Sequence, residues 1–257
     1  MRLEQLRIWA FEGWMLIYML YHAKIRFRFA RMRRQDREAE VEALIDGMVT
    51  DWARWVFRNL RCRLEVRGAE HVPRGQAFVV YCNHQCKYDI PALLLGLNAA
   101  IGFVVKRELF WVPGLTFWMR QINCMPLDRS DIATGAATLA QLGAQLKQRG
   151  KGFIMFPEGT RSRDPQLRVQ PFRRGSIRLV SEQGLPVLPV TIDGTYLLER
   201  HDAMAATRHG GRRVRIQIEP LRRLPGTSAP QRRAFMDALY ECLRSTREAI
   251  RVDWPAA

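Results

Sequence analysis

The chain has 257 residues, enough to bury a full core, and reads as one α/β domain with an appendage. Its 41 Lys and Arg against 25 Asp and Glu give a net charge of +16, which points to a polyanionic partner: nucleic acid, an anionic membrane or a phosphorylated substrate. Five scattered cysteines, Cys62, Cys82, Cys86, Cys124 and Cys242, argue against a disulfide framework and fit a reducing compartment.

Residues 1–60 carry no clear strand signal, and Trp9, Trp14, Trp52 and Trp55 all fall there. The apolar stretch 13–21 is too short to span a bilayer, which takes roughly 20 residues, and no small-residue cleavage site follows it. A basic run comes next: Lys24, Arg26, Arg28, Arg31, Arg33, Arg34 and Arg37. Beyond it Val41, Leu44, Ile45, Met48, Val49, Trp52, Val56 and Leu60 recur at three- and four-residue steps, which predicts an amphipathic helix. The expected unit is an N-terminal two-helix membrane-associating motif with the basic run at its junction, lying in the surface of an anionic membrane. The competing reading is a helical hairpin packed on the core with a solvated basic face.

From residue 61 to 257 strands and helices alternate. Cys62, Leu64 and Val66 alternate with charged residues as in a half-buried strand, and the continuous run Phe78–Cys82 reads as a buried one. A short helix is expected over 91–98, a strand over Gly102–Lys106, and a helix over 109–121 broken near Pro113 and Gly114. Ser130 or Asp131 starts a helix over Ile132–Arg149 that Gly150 stops. A strand over 152–156 and a helix over 176–183, ended by Gly184, come next. Residues 187–192 read as a strand in which Pro189 marks an edge or a bulge. Val214, Ile216 and Ile218 alternate in a late strand, and 230–251 forms a last helix with Ser228 as its candidate cap. The fold class is α/β, a layered sheet flanked by helices.

Asn83-His84-Gln85-Cys86-Lys87-Tyr88-Asp89 directly follows the second strand. A histidine titrates near neutrality, and a carboxylate can fix its tautomer and stabilise the imidazolium, so the pair can act as a general base. Five positions on a regular helix amount to about 500° of rotation, so the two side chains need a strand-to-helix turn to meet. Pro91 suits a first helical turn, and Ile90 before it is biased away from helical geometry. The bland alternative is that Asp89 merely caps that helix. Cys82, His84 and Cys86 lack a second ligand pair at zinc-site spacing, so no metal is expected. Cys86 also raises a thiol-nucleophile reading, because residues two apart in an extended segment share a face. A second motif, Phe156-Pro157-Glu158-Gly159-Thr160-Arg161-Ser162, follows another apolar run and offers a guanidinium and a turn for an anion.

Taken together these segments resemble the glycerolipid acyltransferases, and among them most closely the 1-acylglycerol-3-phosphate acyltransferases. Residues 83–89 resemble the His-x4-Asp motif, and Lys106-Arg107-Glu108-Leu109 with Pro113 resembles the second motif. Residues 156–162 resemble the third, Leu185-Pro186-Val187-Leu188-Pro189-Val190 the fourth, and Leu127-Asp128-Arg129 a recurring segment between the second and third. The chain departs from the pattern at Cys86, where serine is frequent, and at Thr116, where glycine is usual.

The resemblance implies transfer of a fatty acyl group from a thioester, on acyl carrier protein or coenzyme A, to the sn-2 hydroxyl of lysophosphatidate, giving phosphatidate. His84 would take the hydroxyl proton and Asp89 would orient it, without an acyl-enzyme. Arg161 and Lys106 would bind the phosphate, and Ser162 would add a hydrogen bond. Arg129 and Arg173 are further phosphate candidates that could equally be solvated charges. Glu158, Gly159 and Thr160 would shape the turn. No cofactor beyond the thioester co-substrate is implied, and the expected place is the cytoplasmic face of the inner membrane. Two alternatives keep the chemistry but change the acceptor to another lysophospholipid or a lyso-ornithine lipid. A nucleic-acid-binding protein is suggested by charge alone, but the basic residues are spread out and no known module appears. A non-catalytic lipid-binding relative is opposed by the intact His84 and Asp89.

Overall fold

The computed structural model describes residues 23–112, 114–127, 132–162, 168–199 and 212–253, with Gly13, Leu16, Ile17, Tyr21, Asp164 and Gln166. Seven strands among these residues form one sheet: β1 (Cys62–Arg67), β2 (Phe78–Cys82), β3 (Gly102–Lys106), β4 (Met125–Leu127), β5 (Gly152–Met155), β6 (Val187–Asp193) and β7 (Arg212–Ile218). Their order is β1-β7-β6-β2-β5-β3-β4. β2 pairs in parallel with β5 and β6, and β3 in parallel with β4 and β5. β7 runs antiparallel to β6 and parallel to β1. The starts of β1 and β7 therefore share a sheet edge with the carboxyl ends of β2 and β6, the edge where α/β proteins place their sites.

Helices cover both faces: α1 (Arg26–Arg33), α2 (Glu38–Asn59), α3 (Asp89–Gly96), α4 (Leu115–Gln121), α5 (Ile132–Arg149), α6 (Arg178–Gln183) and α7 (Ala229–Asp253). β2 shows why its sequence is an unbroken apolar run. Phe78, Val80 and Cys82 enter a core shared with α1 to α4, whereas Val79 and Tyr81 enter a second core with α5 to α7. β7 is polar on alternate residues, and Val214, Ile216 and Ile218 all face the first core. In α2 the predicted stripe is real: Val41, Ile45, Val49 and Val56 are buried, and the helix packs against α3. Each such side chain contributes about 1.5–3 kcal/mol of burial.

The basic run is not a junction. It forms α1, because arginine is a good helix former and Phe29 and Met32, one turn apart, bury against the core while the cationic side chains stay outside. The turn comes later, where Asp36 takes a left-handed φ of 54°. Most of the helix expected at 13–21 lies outside the described residues. No described helix is long and apolar enough to cross a membrane.

Pro189 is not at an edge, since β6 is an interior strand. It sits at a bulge-like interruption. The β6–β7 ladder stops at Val190 and Ile218, and the next bridge joins Val187 to Arg222, so two residues of β6 face three of the returning chain. Pro189 still accepts a hydrogen bond from the Glu219 N–H at 2.9 Å. β4 escapes a sequence reading because it has three residues including Pro126; as the outermost strand it tolerates the missing donor. The helix expected at 109–121 is split into a 3-10 turn over Arg107–Trp111 and α4, separated by Gly114 at φ 79°; Pro113 lies outside the described residues. Ser228 caps α7 as its position suggests. The Gln231 N–H donates to the Ser228 hydroxyl while the Ser228 N–H donates back to Gln231 Oε1, a reciprocal capping box.

Candidate active site

Asn83 ends β2 by a side-chain exchange. Its Nδ2 donates to the Ile192 carbonyl and its Oδ1 accepts from the Ile192 N–H, both at 2.9 Å. The amide side chain thus continues the pairing with β6 while the main chain leaves the sheet. His84 follows at the lip. Its N–H donates to Glu158 Oε1 at 2.7 Å, and its carbonyl accepts from the Ser162 N–H at 2.8 Å. Both main-chain groups of the histidine are held by the 156–162 segment, which arrives after β5, the neighbour of β2.

The turn does bring the histidine and aspartate together. His84 Nδ1 donates to Asp89 Oδ2 at 2.7 Å. The same oxygen accepts the N–H groups of Gln85 (2.6 Å) and Cys86 (3.0 Å), and Oδ1 accepts the Thr195 hydroxyl. Asp89 is fully buried, and these donors compensate its carboxylate for lost water. It is the first residue of α3, and its oxygens serve the preceding loop. With the carboxylate as acceptor, Nδ1 is the donor, so in the neutral imidazole the free lone pair is on Nε2. The imidazole stacks on Phe156 with centroids 3.9 Å apart and an interplanar angle of 15°.

Glu158 does more than shape a turn. It is buried, accepts the His84 N–H on Oε1 and the Gln170 N–H on Oε2 (2.8 Å), and burial pushes its carboxyl up to about 7. The turn itself closes by the Gly159 N–H donating to the Phe156 carbonyl at 3.0 Å, with Gly159 at φ 70°. Thr160 is exposed. Arg161 is also exposed, its Nη1 3.8 Å from Glu199 Oε1. Ser162 contributes its main-chain N–H to His84, whereas its hydroxyl donates to the Arg168 carbonyl at 3.4 Å. Lys106 ends β3, exposed and on the same sheet edge. Neither Lys106 nor Arg161 bonds directly to the His84 cluster among the described residues. Arg173 is exposed and donates its N–H to the Pro157 carbonyl at 2.7 Å. Arg129 lies outside the described residues.

Cys86 belongs to the core. Its thiol donates to the Thr195 carbonyl at 3.1 Å and accepts the Tyr88 N–H at 3.3 Å, and burial pushes its pKa well up. A buried, protonated thiol turned toward Thr195 is not an attacking group, which removes the basis of the thiol-nucleophile reading.

Sequence reasoning missed Thr195, Gln85 and Phe156. The single Thr195 hydroxyl proton is shared between Asp89 Oδ1 and Gln85 Oε1, the latter 2.9 Å away, and Gln85 Nε2 donates to Asp193 Oδ1 at 3.1 Å. The buried Arg247 of α7 donates to the same Asp193 oxygen at 3.2 Å. Gln85 and Phe156 lie inside the two quoted motifs, and for Thr195 the sequence signal was Gly194, which takes φ 99° at the end of β6 and turns Thr195 back over Asp89. An apolar cavity of about 80 Å³ lies between α2, α3 and α4, lined by Val49, Trp52, Ile90, Leu94, Leu115 and Trp118, of which Ile90 follows Asp89 in the chain.

The family model described as Acyltransferase matches residues 63–193. The chain is 32% identical over 155 residues to the 1-acyl-sn-glycerol-3-phosphate acyltransferase BAT2, chloroplastic, of Brassica napus, covering 60% of this chain and 44% of that protein. It is 30% identical over 132 residues to the human 1-acyl-sn-glycerol-3-phosphate acyltransferase alpha, covering 51% of this chain and 45% of that one. It is 33% identical over 147 residues to the 1-acyl-sn-glycerol-3-phosphate acyltransferase of Pseudomonas aeruginosa, covering 56% of each. The chain spans about half the length of these curated relatives. The crystal structure of the 1-acyl-sn-glycerophosphate (LPA) acyltransferase PlsC from Thermotoga maritima superimposes with a TM-score of 0.71 at 26% identity, covering 99% of this chain and 100% of that one.

Proposed function

Because the chain belongs to the acyltransferase family, we propose that it transfers a fatty acyl group from a thioester to the sn-2 hydroxyl of 1-acylglycerol-3-phosphate, giving phosphatidate. The observation that carries the reading is the His84–Asp89 pair, with Nδ1 2.7 Å from the buried carboxylate, an arrangement in which Nε2 of the neutral ring can accept a proton. The acceptor is suggested by the names of the relatives.

In this reading Nε2 removes the proton of the acceptor hydroxyl as that oxygen attacks the thioester carbonyl. Asp89 stabilises the imidazolium without taking the proton. The tetrahedral intermediate collapses by breaking the carbon–sulfur bond, and the departing thiolate recovers the proton from Nε2. The acceptor is itself the nucleophile, so the chain carries no acyl group. Arg161 and Lys106 hold the acceptor phosphate. The Arg161 fork suits a phosphate monoester, and its loose contact with Glu199 leaves it available. The apolar cavity beside Ile90 receives acyl-chain carbon. Exposed Leu16, Ile17, Tyr21 and Phe27, followed by a run of arginines, favour residence in the surface of an anionic membrane, and the proposed place is the cytoplasmic face of the inner membrane.

The test is a matrix of acyl-coenzyme A and acyl carrier protein thioesters against labelled lysophosphatidate and other lyso-lipids, using detergent-purified protein. Phosphatidate should form with at least one donor. Turnover of a different lyso-lipid, with none of lysophosphatidate, would overturn the acceptor assignment.

A further inference from the structure

A second concave surface lies on the same sheet edge, on the other flank of β2 from β5 and β3. It is a cleft of about 310 Å³ lined by Phe57, Arg58, Arg61, Cys62, Arg63, Arg212 and Arg213. The reversal of β1 and β7 creates it, because their first residues, Cys62 and Arg212, are register partners at the edge where β2 and β6 end. It adjoins the site: a Cβ at Gly194 would collide with the Arg213 carbonyl oxygen, and Gly194 precedes the Thr195 that bonds Asp89. Strands lie roughly 4.8 Å apart and β1 is three places from β2, so the cleft is on the order of 14 Å from the histidine strand.

Among the described residues, arginines outnumber carboxylates there. Glu65 is near three guanidinium groups, those of Arg63 (3.9 Å), Arg213 (3.7 Å) and Arg215 (3.5 Å). Arg58 and Arg61 make no ion pair among the described residues. Arginines on an outer strand can simply discourage edge pairing, and Arg58 can offset the carbonyl end of α2. Neither role calls for a concave wall drawn from α2, β1 and β7. Several guanidinium forks around one small cleft suit a ligand with several phosphate groups.

We propose that this cleft binds the phosphorylated nucleotide end of an acyl-coenzyme A donor. The pantetheine arm runs along the sheet edge past Gly194 to His84, and the acceptor phosphate enters from the β3 side. The assignment rests on the acyl-transfer reading for the identity of the donor. Guanidinium groups gathered from α2, β1 and β7 around one cleft suit the clustered phosphates of a nucleotide, whereas the acidic side chains of a carrier protein are spread over a broad face.

Calorimetric titration of the full chain with free coenzyme A and with pantetheine, which lacks the phosphates, tests this without acyl transfer. Coenzyme A should bind at least about tenfold more tightly than pantetheine, with a preference that shrinks as salt rises. The double variant Arg58→Gln/Arg61→Asn changes two exposed side chains, and asparagine tolerates the φ of 49° at position 61. It should weaken coenzyme A roughly tenfold or more and leave pantetheine unchanged. Equal affinities for the two ligands, or unaltered coenzyme A affinity in the double variant, would overturn the proposal. So would a double variant that loses binding to anionic vesicles while keeping its coenzyme A affinity, which would mark a lipid-headgroup site. Failure of the acyl-transfer reading is separate: coenzyme A binding would persist while no lysophosphatidate was acylated.

Discussion

Asp89 accepts hydrogen bonds from His84, Gln85, Cys86 and Thr195 before any substrate arrives. Its direction is fixed in advance, so little reorganisation is needed when an imidazolium forms beside it. His84→Ala should reduce acyl transfer by about 10²–10⁴-fold, measured as kcat against lysophosphatidate; near-normal turnover would exclude the histidine as base. Thr195→Val keeps the shape and removes the hydroxyl. A hydrogen bond to a charged group is worth about 1.5–3 kcal/mol, so kcat should fall about tenfold or more with KM nearly unchanged. Thr195→Ser should restore it, and a silent Thr195→Val would confine the hydroxyl to packing. Glu158 titrates near 7 in the folded chain against an ordinary 4.5, because burial disfavours its charge. The folded form therefore holds this proton more tightly than the unfolded chain, and stability is lost as pH rises from about 4.5 to 7. Thermal melts at pH 5 to 8 should show the wild type losing stability relative to Glu158→Gln across that window; parallel curves would count against the assignment. His84 and Asp89 are legible in the sequence because they are five apart. Thr195 is 106 residues from Asp89 and Glu158 is 74 from His84, so only the folded sheet shows those contacts.

Elements were legible where burial writes a period into the chain. β2 is apolar throughout because both its faces are covered, and β7 alternates because one is not fully covered. The failures have a common cause: short pieces whose conformation depends on neighbours. β4 exists because β3 lies beside it, and α1 because Phe29 and Met32 find a core that a run of arginines does not announce. The turn after β5 is the element most exposed to a single change. Gly159→Ala would place a side chain at φ 70°, with its Cβ 2.9 Å from Arg173 Cγ. The arginine stem can move, so the cost is chiefly the left-handed backbone, about 1–2 kcal/mol. Chemical denaturation should detect that loss, and a variant as stable as wild type would mean the turn relaxes.

At the scale of the whole molecule, α1 and α2 join the interior while the residues before them supply exposed apolar side chains. Deleting residues 1–22 should weaken co-sedimentation with anionic vesicles and leave the thermal midpoint nearly unchanged. Extending the deletion through residue 33 removes the buried Phe29 and Met32, each worth about 1.5–3 kcal/mol, and should destabilise the domain. Undiminished vesicle binding by the shorter deletion would move the membrane contact elsewhere. One further consequence concerns how such a chain can be recombined. Both main-chain groups of His84 are satisfied by residues 158 and 162, in a loop that is remote in sequence. A chimaera taking residues 83–89 from one parent and 156–162 from another would join two halves that had never been fitted together. The unit that can be exchanged between relatives is the pair of loops, and crossover points between them should be tolerated only when both come from the same parent.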